Sequence, residues 1–356
     1  MKSTQVNQKL DFSGESIFAG IDVHKKQWNV TIMSEFKEHK TFVQPPDPMV
    51  LSKYLKDNFP GGTYFSVYES GFSGFWIHEA LVKEGIKSIV VNAADVPTTD
   101  KEKKNKCDAV DSRKLCKKLR NRDLVGIYVP DRAQLEDRQL VRARVKLVRD
   151  TTRCKNRIKS TLNFYGIKCP DSGVWSKRFI NGLKQLRMDY ESGTSALRVM
   201  IDELESIELL KRRVSRQLTM MMREEKYRQN IKLLFSIPGI GIIAAITILT
   251  ELGDLRRFRR LDHLCNYIGL VPTIYSSGET EHVGSLTPRK NNYILPLLIQ
   301  SAWTAAGKDP AMMQAYHQWC RRMKGQEAII RVARKLLSRI RYVLVNRKEY
   351  QLKTVS

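Results

Sequence analysis

Four carboxylates stand where a coarse reading of the chain puts strand ends and a helix start. Asp22 closes the apolar run Ile17-Phe18-Ala19-Gly20-Ile21, Glu69 closes the run 63–69, and Asp108 and Asp111 open a helical pattern. A spacing of three on a helix puts Asp108 and Asp111 on one face. Carboxylate oxygens take hard divalent cations such as Mg2+, and a pair of such ions clamps the attacking and leaving oxygens of a phosphodiester. Strand-end carboxylates converging on an acidic helix face are therefore what phosphoryl transfer to or from DNA requires. Taken singly, an Asp after a strand is an ordinary turn or cap residue. The set and its order carry the weight.

A second group capable of chemistry is Ser276-Ser277-Gly278, inside the polar interruption 272–290. A serine hydroxyl is a weak nucleophile until a base or a metal lowers the cost of deprotonating it. On its own, Ser-Ser-Gly reads as a loop. Basic residues supply a third signal: Arg138, Arg142, Lys146, Arg149, Arg153 and Arg157 recur at three- and four-residue steps. Like charges at that spacing repel unless relieved, so the stripe is expected to contact nucleic acid; the plain alternative is a solvated helix face. Ile237-Pro238-Gly239-Ile240-Gly241 before an apolar run fits a phosphate-holding turn of the helix-hairpin-helix kind. That signal is weak, and a Pro-Gly turn that opens a buried helix is the commoner reading.

These groups need a scaffold. The 356 residues are enough for two or three domains. With 42% hydrophobic and 28% charged residues, disordered and collagen-like classes are excluded. Lys+Arg 62 against Asp+Glu 37 leaves +25, a field that attracts a polyanion, and nucleic acid is the leading partner. The six cysteines have no C-x-x-C pair, which argues against zinc ribbons. With no secretory start, they fit reduced thiols in a cytoplasm. No apolar run reaches membrane-spanning length, so no membrane partner is expected.

Along the chain, residues 1–16 are polar and patternless and read as a flexible tail. Strands are expected at 17–22, 27–33, 41–43, 63–69 and 88–91, with helices over 74–83 and from Asp111, which makes an α/β domain over 17–128. Ten Lys/Arg surround the second acidic pair between Lys101 and Arg122. Residues 129–228 read as an arm of two long helices, with an apolar stripe Val141, Val145, Val148 and Thr152 and breaks at 166–173 and Ser192-Gly193-Thr194. Residues 229–350 read as a mostly α-helical domain, with Ile329, Val332, Leu336, Ile340 and Val343 as a core stripe.

Several of these segments resemble one family. Gly20-Ile21-Asp22-Val23-His24-Lys25-Lys26, Tyr68-Glu69-Ser70-Gly71 and Lys106-Cys107-Asp108-Ala109-Val110-Asp111-Ser112-Arg113 look like the DEDD motif set of the insertion-sequence 110 transposases. Residues 236–241, Leu252-Gly253-Asp254 with Phe258, Tyr267-Ile268-Gly269-Leu270-Val271-Pro272 and Ser276-Ser277-Gly278 are similar to that family's C-terminal domain in order and spacing. The resemblance runs from about residue 17 to 345, with the middle helices matching in character only.

What it implies is a ribonuclease H-like first domain, similar to Holliday-junction resolvases, in which Asp22, Glu69, Asp108 and Asp111 hold Mg2+. It further implies a coiled-coil-like arm supporting a homo-dimer or tetramer, and a C-terminal serine that attacks DNA to give a covalent phosphoserine. Motif spacing permits Ser276 or Ser277, with Ser277 favoured because it directly precedes Gly278. Partners implied are DNA, as element ends and target, and a structured guide RNA, in a bacterial or archaeal cytoplasm in association with the nucleoid. The chain departs from the family at Pro288, Lys290 and Leu295; Arg289 and Lys290 are the expected phosphate contacts in their place. Two other readings stand beside this one: a resolvase-like nuclease in which water attacks, and a basic binding protein without chemistry.

Overall fold

The computed structural model describes residues 11–96, 108–169, 175–277 and 280–352. The chain divides into two units, one ending at Val129 and one beginning at Pro130. No helix among the described residues is long and apolar enough to cross a membrane.

The first unit is built on a five-stranded mixed sheet: β1 (Ser16–Val23), β2 (Trp28–Met33), β3 (Glu38–Gln44), β4 (Thr63–Glu69) and β5 (Lys87–Val91). Their order is β3-β2-β1-β4-β5; β1 is antiparallel to β2 and parallel to β4, and β4 is parallel to β5. Alternation along the central strands separates two faces. Ile17, Ala19 and Ile21 of β1 and Tyr68 of β4 pack with α1 (Pro48–Asn58) and α2 (Trp76–Lys83) through Leu51, Leu55, Ile77 and Leu81. Phe18 of β1 and Val67 of β4 lie on the other face, against Cys116 and Leu115 of α3 (Asp108–Arg120).

The helix α1 has no counterpart in the expected elements. Its start is set by Asp47, whose carboxylate accepts from the Met49 N–H, and by Pro48 at the first helical position. Asp11 to Glu15, expected within a tail, lie on the domain: the Phe12 N–H donates to the Pro60 carbonyl and the Phe12 ring packs edge-on against Phe59. Residues 1–10 of that tail lie outside the described residues.

The second unit carries α4 (Arg132–Phe164), α5 (Lys177–Gln185), α6 (Glu191–Met221), α7 (Glu225–Phe235), α8 (Ile242–Leu252), α9 (Leu261–Ile268), α10 (Leu295–Lys308), α11 (Pro310–Cys320) and α12 (Gly325–Asn346). Two cores organise it. Cys154, Ile158 and Leu162 of α4 pack with Leu197, Ile201 and Leu204 of α6, and α5 closes that end with Phe179 and Leu183. At the other end of the arm, Val141 and Leu218 belong to the same core as the buried helix α8 and the stripe Ile329, Val332, Leu336, Ile340 and Val343 of α12. The arm is thus rooted in the helical core that follows it.

Three local expectations need correction. The apolar stripe of α4 runs through Val141, Thr151, Cys154, Ile158 and Leu162, whereas Val148 and Thr152 are exposed. Ser192-Gly193-Thr194 lies inside the first turn of α6, where a helix interior tolerates a glycine near its end. The polar interruption is a two-stranded hairpin, β6 (Pro272–Ser277) paired antiparallel with β7 (Thr280–Leu286). The Pro-Gly segment does open a buried helix: every residue from Ala244 to Leu252 of α8 is buried.

Candidate nucleic-acid-processing site

Asp22 and Glu69 are strand neighbours. The parallel ladder of β1 and β4 pairs Ile21 with Tyr68, and the two carboxylates are the next residue on each strand. Strand alternation puts Asp22 in phase with Phe18 and Gly20, and Glu69 in phase with Val67, so both belong to the face covered by α3.

The direction of α3 completes the placement. Its backbone lies directly on β1 at Gly20, where a Cβ would fall 2.7 Å from the Cys116 Cβ and closer still to the Ser112 carbonyl oxygen. One turn further on, the Cys116 thiol donates to the Phe18 carbonyl oxygen at 3.2 Å. From Ser112 to Cys116 the helix therefore travels back along β1 from Gly20 to Phe18, about 6 Å in each element. Run the other way, the first turn of α3, with Asp108 and Asp111, is carried toward the end of β1 that holds Asp22.

A polar seam locks this arrangement: the Ser112 hydroxyl shares a 2.9 Å hydrogen bond with Thr31 of β2, and Thr31 another of 2.9 Å with Thr41 of β3. Burial pushes the Cys116 thiol up to about 12, so it stays a neutral donor. The His24 Nε2 approaches the Asp22 carboxylate at 3.1 Å.

Gly20→Ala is expected to force α3 off β1, because helix backbone rather than a flexible side chain blocks the added methyl. The expected cost is about 3 kcal/mol or more, read as a lower urea midpoint of the N-terminal unit's transition; an unchanged midpoint would contradict the close approach.

Asp22 and Glu69 share one face and one end of the sheet, and their all-oxygen donor chemistry suits a hard divalent cation. Among the described residues no three acidic, His or Cys side chains converge into a metal-sized group. The side chain of Asp108 and residues Lys106 and Cys107 lie outside the described residues, as does Gly278.

The serines occupy the free end of the hairpin. Ser276 pairs with Glu281 and Ser277 with Thr280, and the side chains of both serines lie outside the described residues. The base of the hairpin is held by the Thr287 N–H donating to the Val271 carbonyl at 3.0 Å, and by the Asn291 N–H donating to the Ile268 carbonyl at 3.0 Å. Gly269, at φ +88°, permits the chain after the hairpin to cross tightly: a Cβ there would lie 2.8 Å from the Lys290 Cα. Arg289 and Lys290 are exposed beside this crossing.

The basic stripe of α4 is largely relieved from within the chain. Glu251, the one acidic residue of α8, is fully buried. Its carboxylate receives both Nε and Nη2 of Arg142, at 2.6 and 2.9 Å, and lies 3.7 Å from the Arg138 Nε. Arg138 is itself buried and donates to the Thr250 and Glu251 carbonyl oxygens. The hydrogen bond to Glu251 holds the Arg142 guanidinium above its ordinary value against the opposing effect of burial. Arg149 donates to the Asn292 carbonyl at 3.0 Å, Arg153 pairs with Asp150 at 2.9 Å, and Arg157 with Glu203.

The premise of unrelieved repulsion therefore fails: Arg138 and Arg142 are interior ion-pair partners, while Lys146, Arg149, Arg153 and Arg157 remain exposed. Glu251, Asn291 and Gly20 were not singled out from the sequence. A lone Glu within the apolar run Ile242–Leu252 was the available signal for the first.

Comparison with known proteins agrees with this architecture. A family model described as Transposase, of the DEDD type, matches residues 19–167. A second, described as Transposase IS116/IS110/IS902 family, matches residues 231–318. The chain is 28% identical over 239 residues to y4qE of Sinorhizobium fredii, a chain named as a transposase, covering 67% of this chain and 57% of that one. To a second Sinorhizobium fredii chain so named, y4rJ, it is 26% identical over 373 residues, covering 90% of each. To the transposase for insertion sequence element IS1111A of Coxiella burnetii it is 26% identical, covering 56% of this chain and 55% of that one. The two matched segments, in this order, define a transposase. The chain belongs to the insertion-sequence 110 family of transposases.

Proposed function

We propose that this protein cuts and rejoins DNA strands as a site-specific recombinase, with the carboxylate set and the serine hairpin as the two halves of its chemistry. The observation that carries the reading is the register of β1 and β4, which makes Asp22 and Glu69 neighbours on the face and at the end of the sheet toward which α3 carries Asp108 and Asp111. The mixed sheet supports a ribonuclease H-like reading of residues 17–128, and the +25 charge supports DNA and a structured guide RNA as partners. A homo-dimer or tetramer suits a reaction in which several strands are exchanged together.

Asp22, Glu69, Asp108 and Asp111 would hold Mg2+, which supplies charge neutralisation at the phosphodiester and a lower cost of deprotonating the nucleophile. Ser276 or Ser277 attacks phosphorus: the Oγ–P bond forms, the bond from phosphorus to a deoxyribose oxygen breaks, and the departing oxygen takes up a proton. Attack by a hydroxyl of another strand then reverses the step, releasing the serine and conserving the ester. Exposed Lys146, Arg149, Arg153 and Arg157, with Arg289 and Lys290, contact phosphates, which positions nucleic acid without reading its sequence. Sequence choice falls to base pairing with the RNA.

The test is strand exchange by purified protein on DNA carrying the element's joined ends, with RNA transcribed from its flank. Products are expected with Mg2+ and not in EDTA, with nucleic-acid binding retained in both. Equal product yields in EDTA would remove the carboxylate set from the chemistry.

A further inference from the structure

Glu251 does more than neutralise two arginines. Its Oε2, already bonded to Arg142, also accepts from the Asn291 Nδ2 at 3.4 Å, so one buried carboxylate joins α4 to the segment that follows the serine hairpin. That segment is gripped by α4 at two further points. Arg149 donates to the Asn292 carbonyl, and the Tyr293 ring lies under the Arg142 guanidinium at 4.6 Å and near that of Arg149 at 5.7 Å. Asn291 is itself fully used: its Oδ1 accepts from the N–H groups of Tyr293 and Ile294, and its own N–H ties it to Ile268. Residues 287–291 are thus bound to α9 on one side and to Glu251 on the other, and the hairpin springs from their N-terminal end.

We propose that Glu251, with Arg142 and Asn291, is a positioning joint that fixes the base of the serine hairpin against the arm helix. This rests on the reading of Ser276 or Ser277 as the nucleophile. A carboxylate taken wholly out of water is costly, and an apolar side chain of similar volume is often as stabilising as a buried ion pair. The directional bonds are what an apolar replacement would not reproduce. A nucleophile must be held near its attacking geometry, and a misplacement of about 1 Å costs roughly 10²-fold in rate. Asn291 follows directly on the strand pair through Thr287, whose N–H donates to the Val271 carbonyl, so a joint at this point bears on where the hairpin's tip stands.

Asn291→Ser is the informative variant, because a serine hydroxyl still accepts from the N–H groups of the following turn but is too short to donate to Glu251. Arg142→Gln tests the other arm of the joint. Two readouts are taken on the full-length protein at a temperature where circular dichroism shows it completely folded. The first is hydrogen exchange of the backbone amides of residues 273–277 and 280–286, which needs no activity. The second is the single-turnover rate of protein–DNA adduct formation at saturating nucleic acid.

Asn291→Ser is expected to speed hairpin exchange at least about tenfold, with α12 amides unchanged, and to slow adduct formation about 10²-fold with unaltered nucleic-acid affinity. Unchanged hairpin exchange in both variants would overturn the joint, as would a wild-type adduct rate in a variant whose hairpin is loosened. Absence of any adduct from the wild-type protein would instead overturn the nucleophile reading, and hairpin exchange would still report the joint by itself.

Discussion

Asp22→Asn is expected to reduce strand cutting by at least about 10³-fold, some 4 kcal/mol in the barrier, while leaving nucleic-acid affinity within about twofold. The substitution keeps the size and planarity of the side chain and removes its charge. β1 does not depend on that charge: its packing is carried by Ile17, Phe18, Ala19 and Ile21, all buried, and its ladder by backbone pairing to β2 and β4. What is lost is one anionic oxygen donor at the point where the sheet brings Glu69 alongside. A neutral amide is a poor substitute at a site for a hard divalent cation, and the remaining carboxylates cannot restore the same charge balance on a phosphodiester. The check is a cleavage time course beside a binding titration on the same DNA. Cleavage at the wild-type rate would remove Asp22 from the site.

The second large effect concerns the hairpin. Ser276→Ala together with Ser277→Ala is expected to abolish any covalent protein–DNA species while binding and folding persist. The paired strands β6 and β7 depend on backbone hydrogen bonds along a register that Ala accepts, and the hairpin base is held through Val271, Thr287 and Asn291 rather than through either serine. The double variant is needed because Ser276 and Ser277 are adjacent at the free end of the same strand. Single variants then assign the nucleophile, with loss expected for Ser277→Ala. Continued DNA cutting by the double variant, without an adduct, would mean that water attacks and that the protein is a metal-dependent nuclease.

The sheet and its carboxylates were legible from the sequence because β1 is buried on both faces and reads as an unbroken apolar run ending in a single acid. Glu69 is placed the same way by the end of β4. The antiparallel course of α3 over β1 was not legible: it rests on the absence of a side chain at Gly20 and on Thr31, Ser112 and Cys116, contacts between residues far apart in the chain whose types say nothing singly. The arm shows the opposite failure. Its arginines are conspicuous at helical spacing, but the partner of Arg142 is Glu251, 109 residues away and hidden in the apolar, buried helix α8. A local reading counts repulsion along a helix and misses relief supplied from another. The segment 272–290 reads as a polar interruption because Thr273, Ser276, Ser277, Thr280, Glu281 and His282 give no period-two alternation of apolar residues.

The most direct test of the account is a denaturing-gel search for a covalent protein–DNA adduct. It uses purified protein, Mg2+, DNA carrying the element's joined ends and RNA from its flank, followed by mass spectrometry of the trapped peptide. The account predicts an adduct that survives denaturation, maps to the peptide containing Ser276 and Ser277, and disappears in both the double-serine and Asp22→Asn proteins. Efficient strand exchange with no adduct, or an adduct mapped to any other residue, would contradict it.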